Sequence, residues 1–199
     1  MHLRAPAILL AARPHGETAV IARLLTEEHG VVAAYVAGGR GRQLRPVVIP
    51  GNLVAAEIRA KSDSQLPFAR LELAQSRGPW LTEPLPASAM AWVCALTASV
   101  LPERNAYPNI YLALSALLEA ICHAPSARGW VPVLASYELL LLRELGYGGA
   151  VARPEDVEQA FETLRTTGKA IARYLLSDTR ADVLASRILL MRRLQKLLA

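Results

Sequence analysis

The chain has 199 residues, 53% of them apolar and 20% charged, a composition that buries a core and excludes a disordered chain. Twenty-two Lys and Arg against 17 Asp and Glu leave a net charge of +5, which points toward nucleic acid or another anionic surface without establishing one. Two cysteines, Cys94 and Cys122, exclude a disulfide framework and a four-thiolate zinc site.

The pattern changes near residue 80. The run from Ala5 to Ala12 is apolar but is broken at Arg13 and lacks the features of a secretory leader, so it is expected to be a buried first strand. Ala19 to Leu25 is a second run; it carries helical spacing as well, and the β-branched residues that open it favour strand. Val31 to Val36 follows a glycine turn, Leu53 to Ile58 follows Pro50-Gly51-Asn52, and Phe68 to Leu73 closes the set, with Phe68 expected in the core. Five or six short strands with turn signals between them predict a small all-β sandwich or barrel over residues 1–80.

Gly78, Pro79, Pro84 and Pro86 mark a linker, and residues 81–199 are helical in character. Ser88 is the expected N-cap of a helix to Val100. Pro108 opens a helix through Ile110, Leu114, Leu117 and Ile121. A third runs from Val133 to Leu145 and stops at Gly146. Pro154-Glu155-Asp156 is the expected first turn of a fourth, with Val157, Phe161, Leu164, Ile171 and Leu175 on its buried face and Gly168 allowing a close neighbour. The last, Arg180 to Leu198, is expected to bury Leu184, Ile188, Met191 and Leu194. No apolar run reaches the ~20 residues that a bilayer span needs, so the protein is expected in the cytoplasm. Cys94 and Cys122 fit reduced core residues there.

No constellation supports an enzyme. His2, His15, His29 and His123 stand singly, without metal-ligand spacing. There is no nucleophile elbow, phosphate-binding loop with Lys-Ser/Thr, or zinc-protease motif. The positive charge is better localised. Residues 1–80 hold ten basic and six acidic side chains, a balance of +4; the remainder holds twelve and eleven. Arg40, Arg42 and Arg45 lie within 37–45 with no acid, among glycines that let a phosphate approach the backbone. This Gly/Arg loop is expected to clamp a nucleic-acid backbone, with Arg13, Arg59 and Lys61 extending it. Few aromatics accompany it (Tyr35, Phe68, Trp80), so phosphate contacts and steep salt dependence are expected. A second basic group, Arg192, Arg193 and Lys196, fits a helix C-terminus or a docking face for an acidic tail.

The ordered series Arg13-Pro14-His15-Gly16-Glu17-Thr18, Leu24-Leu25-Thr26-Glu27-Glu28-His29-Gly30, the Gly38–Arg42 stretch, Leu44-Arg45-Pro46, Leu101-Pro102-Glu103-Arg104 and Leu142-Arg143-Glu144-Leu145-Gly146-Tyr147-Gly148 resembles the bacterial recombination mediator family RecO. The resemblance covers about residues 3–150. It implies an α+β multidomain chain: an N-terminal five-stranded OB-fold β-barrel that binds DNA, residues 1–80, followed by an all-α helical domain that binds partners, residues 81–199. It further implies binding of single- and double-stranded DNA, annealing of complementary strands, and joint action with RecR in loading RecA onto DNA coated by single-strand-binding protein (SSB), whose acidic C-terminal tail the family contacts. By position, Arg40, Arg42 and Arg45 carry the DNA contacts, with Arg59 and Lys61 beside them. The function implied is non-catalytic, cytoplasmic and nucleoid-associated. Many relatives place a four-cysteine zinc module after the Glu-Leu-Gly-Tyr-Gly segment; here Gly149-Ala150-Val151-Ala152-Arg153 leads straight to Pro154, so neither zinc nor another cofactor is expected. The competing expectation is an adaptor that binds an acidic tail through its helices and has little DNA affinity.

Overall fold

The computed structural model describes residues 2–60, 62, 65–149, 152–176 and 181–196. Five strands come first: β1 (His2–His15), β2 (Ala19–Thr26), β3 (Gly30–Val36), β4 (Leu53–Arg59) and β5 (Phe68–Gln75). They close into a barrel in the order β1-β2-β3-β5-β4. All neighbours are antiparallel except β3 and β5, which meet in parallel at Tyr35 and Phe68. This is the connectivity of a five-stranded OB barrel. β1 serves both edges of the closure: its first half pairs with β4 and its second half with β2, with an irregularity between Leu9 and Ala11. A bulge of this kind lets one long strand bend around a small barrel.

The interior is filled by alternate residues of every strand, among them Leu9, Val20, Ala22, Leu24, Val32, Ala34, Val54, Ala56, Ile58 and Leu71. Mixing Ala with Val and Leu suits the narrow bore of five strands. Residues 7–10 are buried in both phases, as expected of a strand covered on both faces. The ambiguous second run is strand β2. Phe68 is the exception to the expected core: it is 64% exposed. The inward phase of β5 is Ala69 and Leu71, so Phe68 shares the outer face with Arg70 and Glu72.

Helices follow: α1 (Pro84–Val100), α2 (Pro108–His123), α3 (Val131–Glu144), α4 (Val157–Ala170), continued by a π-helical turn at Ile171–Leu175, and α5 (Ala181–Gln195). The chain packs as two compact units, residues 1–83 with 93–111, and 84–92 with 112–199. The expected linker is largely structured. Gly78–Thr82 forms a 3-10 turn, and α1 starts at Pro84, whose ring sets the helical φ and whose missing N–H costs nothing in a first turn. Ser88 is therefore inside the helix, its hydroxyl donating to the Pro84 carbonyl at 2.8 Å. At α4 the cap is Asp156, which accepts from Gln159 N at 2.8 Å; Pro154 and Glu155 precede the helix.

Two helix faces differ from expectation. α4 buries Ala160, Thr163, Leu164 and Thr167, while Val157 and Phe161 are only half-buried. α5 buries Val183, Leu190 and Leu194, and Ile188 is 52% exposed. The cause is Arg187. It occupies the inward stripe with those residues and turns α5 away from the stripe that apolar spacing alone picks out. Gly168 does allow a close neighbour: a Cβ there would stand 2.2 Å from the Arg187 guanidinium.

Candidate nucleic-acid interface

Residues 37–52 form consecutive turns rather than a free loop. Gly41 N donates to the Gly38 carbonyl at 2.8 Å, Arg45 N to Gly41 at 2.9 Å, and Val47 N to Leu44 at 2.9 Å. Gly39 lies so close to β2 that a Cβ would meet the Val20 side chain at 2.6 Å. The far end is fixed by buried Asn52. Its amide donates to the Pro46 and Val47 carbonyls, both at 3.0 Å, and its Oδ1 accepts from Arg77 N at 2.7 Å. A buried amide satisfied on both sides holds such a segment in one conformation.

Arg40, Arg42 and Arg45 are all exposed on this segment. Arg40 ties it to the β1–β2 turn: its backbone N–H donates to Thr18 at 2.9 Å and its guanidinium to the Gly16 and Glu17 carbonyls at 3.4 and 3.1 Å. Neutral carbonyls orient a guanidinium without cancelling its charge. The side chains of Arg42 and Arg45 make no hydrogen bond or ion pair among the described residues, and neither does that of Arg13, exposed near the end of β1.

The strand register puts a second feature beside them. Arg13 pairs with Ile21, Ile21 with Tyr35, Tyr35 with Phe68, and Phe68 with Arg59. Directly paired residues point to the same face of a sheet, and the flanking positions Val20, Val36, Ala69 and Ile58 belong to the core. The row Arg13–Ile21–Tyr35–Phe68–Arg59 therefore runs across the outside of the barrel. Within it the Tyr35 and Phe68 rings meet edge to face at 5.2 Å, and His15 packs on Tyr35 at 5.8 Å. Sequence reasoning missed this cluster; the signal was the phase of β5, where Phe68 alternates with Ala69 and Leu71.

Arg59 differs electrostatically from the others. Its guanidinium is bound to Glu57, which also accepts from Arg4 at 3.0 Å and faces His2 at 3.2 Å. These donors, Arg4 foremost, hold the Glu57 carboxyl down at about 2. The charge of Arg59 is partly compensated, whereas Arg13, Arg40, Arg42 and Arg45 form no ion pair among the described residues. Lys61 lies outside the described residues. The C-terminal basic trio is split: Arg193 donates to the Pro84 carbonyl and Ser88 hydroxyl, while Arg192 and Lys196 are exposed.

Within the helical unit, Leu112, Leu139, Leu140 and Tyr147 line a cavity of about 800 Å³ that Arg143 and Arg153 also border. Among the described residues no group of three or more His, Cys, Asp or Glu side chains is placed to hold a metal. Cys94 and Cys122 are buried and not joined in a disulfide, and two buried cysteines do not fit a zinc module. No helix among the described residues is long and apolar enough to cross a membrane.

The molecule is thus an OB-fold barrel with a basic, aromatic outer face, joined to a helical region. Family profiles agree with that division: recombination protein O N terminal matches residues 1–77, and recombination protein O C terminal matches residues 83–153. The chain belongs to the recombination protein O (RecO) family. It is 40% identical over 149 residues to the DNA repair protein RecO of Phenylobacterium zucineum, covering 74% of this chain and 60% of that protein. It is 39% identical over 172 residues to the DNA repair protein RecO of Rhodospirillum centenum, covering 83% and 67%, and 35% identical over 175 residues to that of Dinoroseobacter shibae, covering 85% and 71%. The chain thus spans about two thirds of the length of these relatives.

Proposed function

We propose that this chain is a non-catalytic mediator of DNA repair and recombination, acting in the cytoplasm at the nucleoid and needing no cofactor. The observation that carries the reading is the fixed turn segment of an OB barrel in a RecO-family chain, with Arg40, Arg42 and Arg45 exposed on it and Arg13 exposed on β1. Residues 1–80 are the DNA-binding domain and residues 81–199 the partner-binding domain. Arg13, Arg40, Arg42 and Arg45 take phosphates, with Arg59 and Lys61 beside them. Neutralising two backbones on one surface lowers the repulsion between them, so single- and double-stranded DNA both bind and complementary strands anneal. With RecR, the protein helps load RecA onto SSB-coated DNA.

Binding of labelled single-stranded DNA across a salt series tests this. The logarithm of affinity should fall linearly with the logarithm of salt, by ~0.7 per phosphate contacted. Replacing Arg40, Arg42 and Arg45 together with Ala should weaken binding and flatten that slope. An unchanged slope would remove these residues from the interface.

The adaptor reading has its own observation, the apolar cavity bordered by Arg143 and Arg153. An acidic, hydrophobic tail such as that of SSB would match its apolar lining and the two arginines at its border. Binding of such a peptide, weakened by Arg143→Ala, with no DNA affinity in the whole chain, would favour the adaptor over the mediator.

A further inference from the structure

We propose that Tyr35 and Phe68, with His15 at their edge, form a base-stacking platform for single-stranded nucleic acid. The proposal rests on the DNA-binding reading above and deepens it, because it gives the barrel a contact that phosphate binding alone does not supply.

Barrel closure creates the platform. Tyr35 and Phe68 are far apart in sequence and become neighbours only where β3 meets β5, at the pair that seals the barrel, with Tyr35 N donating to the Pro67 carbonyl at 2.7 Å. At that seam Phe68 is 64% exposed. Phe68 is exposed and Tyr35 half-buried, with ring centroids 5.2 Å apart, so the pair presents an aromatic surface to water, and the charges around it decide what that surface can receive. The register identifies the occupant. The rings lie between Arg13 and Arg59 on one cross-strand row, and Arg40 is fastened to the turn that follows His15. Among the described residues the nearby acids are Glu17 on that turn, Glu57 beyond Arg59 and Glu72 farther along the outer face of β5, and Glu57 is already bound by Arg4 and Arg59. Rings set among guanidinium groups complement a ligand with flat apolar faces on an anionic backbone, which describes unpaired nucleotides.

In a duplex the faces of the bases are covered by their neighbours, so only unpaired bases can stack here. A base lying on a ring keeps its Watson–Crick edge open, so stacking is compatible with annealing. The phosphate contacts then serve both forms of DNA, and the platform adds affinity for single strands alone.

The test uses the full chain, labelled oligothymidylate and a duplex hairpin of equal length, each over a salt series. Phe68 is exposed, so Phe68→Ala should fold, with circular dichroism as the check, and Phe68→Trp enlarges the stacking face. Phe68→Ala should weaken oligothymidylate binding at least about fivefold at every salt concentration, with an unchanged log–log slope. Hairpin affinity should stay within about twofold, and Phe68→Trp should bind oligothymidylate as well as the unsubstituted chain or better. Equal oligothymidylate affinity in Phe68→Ala and the unsubstituted chain would overturn the platform and leave the phosphate interface standing. Equal losses on both DNAs, or a loss of self-association in place of a loss of DNA affinity, would overturn it in favour of general disruption or a contact between two copies. No binding of either DNA by the unsubstituted chain at low salt would overturn the mediator reading itself, and the platform with it.

Discussion

Arg187 on α5 and Glu138 on α3 form an ion pair at 2.9 Å that is almost wholly withdrawn from solvent, 12% and 1% exposed. Neither charge is left with a single partner. Glu138 also accepts from Trp92 Nε1 at 2.8 Å and from the Thr167 hydroxyl. Arg187 donates to the Leu164 carbonyl at 2.6 Å and lies over the Trp92 ring at 5.5 Å. One buried carboxylate therefore joins Trp92 of α1 to α3, α4 and α5 within the helical unit.

Removing one member should cost far more than removing both. Arg187→Met leaves a buried carboxylate without its cation, and losses of ~3–5 kcal/mol are typical of such a step. The double substitution Glu138→Leu with Arg187→Met removes the charge imbalance and should regain much of that loss, because well-packed apolar replacements of buried pairs are often neutral. Urea denaturation of the two single variants and the double variant gives the coupling directly. Additive losses would mean that the pair is not coupled.

Gly30 and Gly16 both have positive φ, +65° and +60°, yet they should respond differently to alanine. A Cβ at Gly16 meets nothing within 4 Å, whereas one at Gly30 would stand 1.9 Å from the Asn105 carbonyl oxygen. Gly16→Ala should cost only the left-handed backbone penalty of ~1–2 kcal/mol. Gly30→Ala should cost more. It must also push away the segment that docks on β3 through Arg104 N to the Val31 carbonyl at 2.8 Å, and on β2 through Glu103 to Arg23 at 2.6 Å. Hydrogen exchange at the Arg104 amide should rise in Gly30→Ala and stay unchanged in Gly16→Ala.

These two sites also mark what could be read in the sequence. Turn chemistry was legible: Gly30 before Val31 and Pro50-Gly51-Asn52 before Leu53 placed strand boundaries correctly, because the need for a positive φ is written locally. The five strands and the breaks at Pro102 and Gly146 were legible for the same reason. The buried faces of α4 and α5 were legible only in part: Leu164, Ile171 and Leu194 are buried as expected, whereas Val157 and Phe161 are half-buried and Ile188 is exposed. An apolar stripe is found by counting apolar residues, and α5 is oriented by Arg187, a charge whose partner is 49 residues away. The arginines of 37–45 stand out in the sequence by their charge and spacing. Their fixed geometry does not, since it depends on Asn52 and on carbonyls of the β1–β2 turn. The Tyr35–Phe68 contact needed the β3–β5 register, which no local pattern carries.

Glu57 should make stability pH-dependent in acid. Its carboxyl is lowered from 4.5 to about 2, chiefly by the Arg4 hydrogen bond and then by those of Arg59 and His2. A folded-state value below the unfolded one means that the stabilisation is complete above 4.5 and is lost as pH falls toward about 2. The stability difference between the unsubstituted chain and Glu57→Gln should therefore be level at neutral pH and shrink across that window. Denaturation midpoints at a series of acidic pH values would show it, and a difference that does not change with pH would place the stabilisation elsewhere.

Cys94 should be chemically silent in the folded protein. It is 1% exposed, and burial pushes its thiol up to about 12, an effect that the charge of Arg77 only partly offsets. The thiolate is the reactive form, so at mildly alkaline pH the residue has neither the charge state nor the access to react. Treatment with a thiol reagent should leave Cys94 unmodified in the native protein and label it fully in denaturant, with the site read by peptide mass spectrometry. Any native labelling should be far slower than that of a free thiol at the same pH, because it requires opening of the fold. Rapid native labelling of Cys94 would show that the helix segment 93–100 opens to solvent far more often than its packing implies.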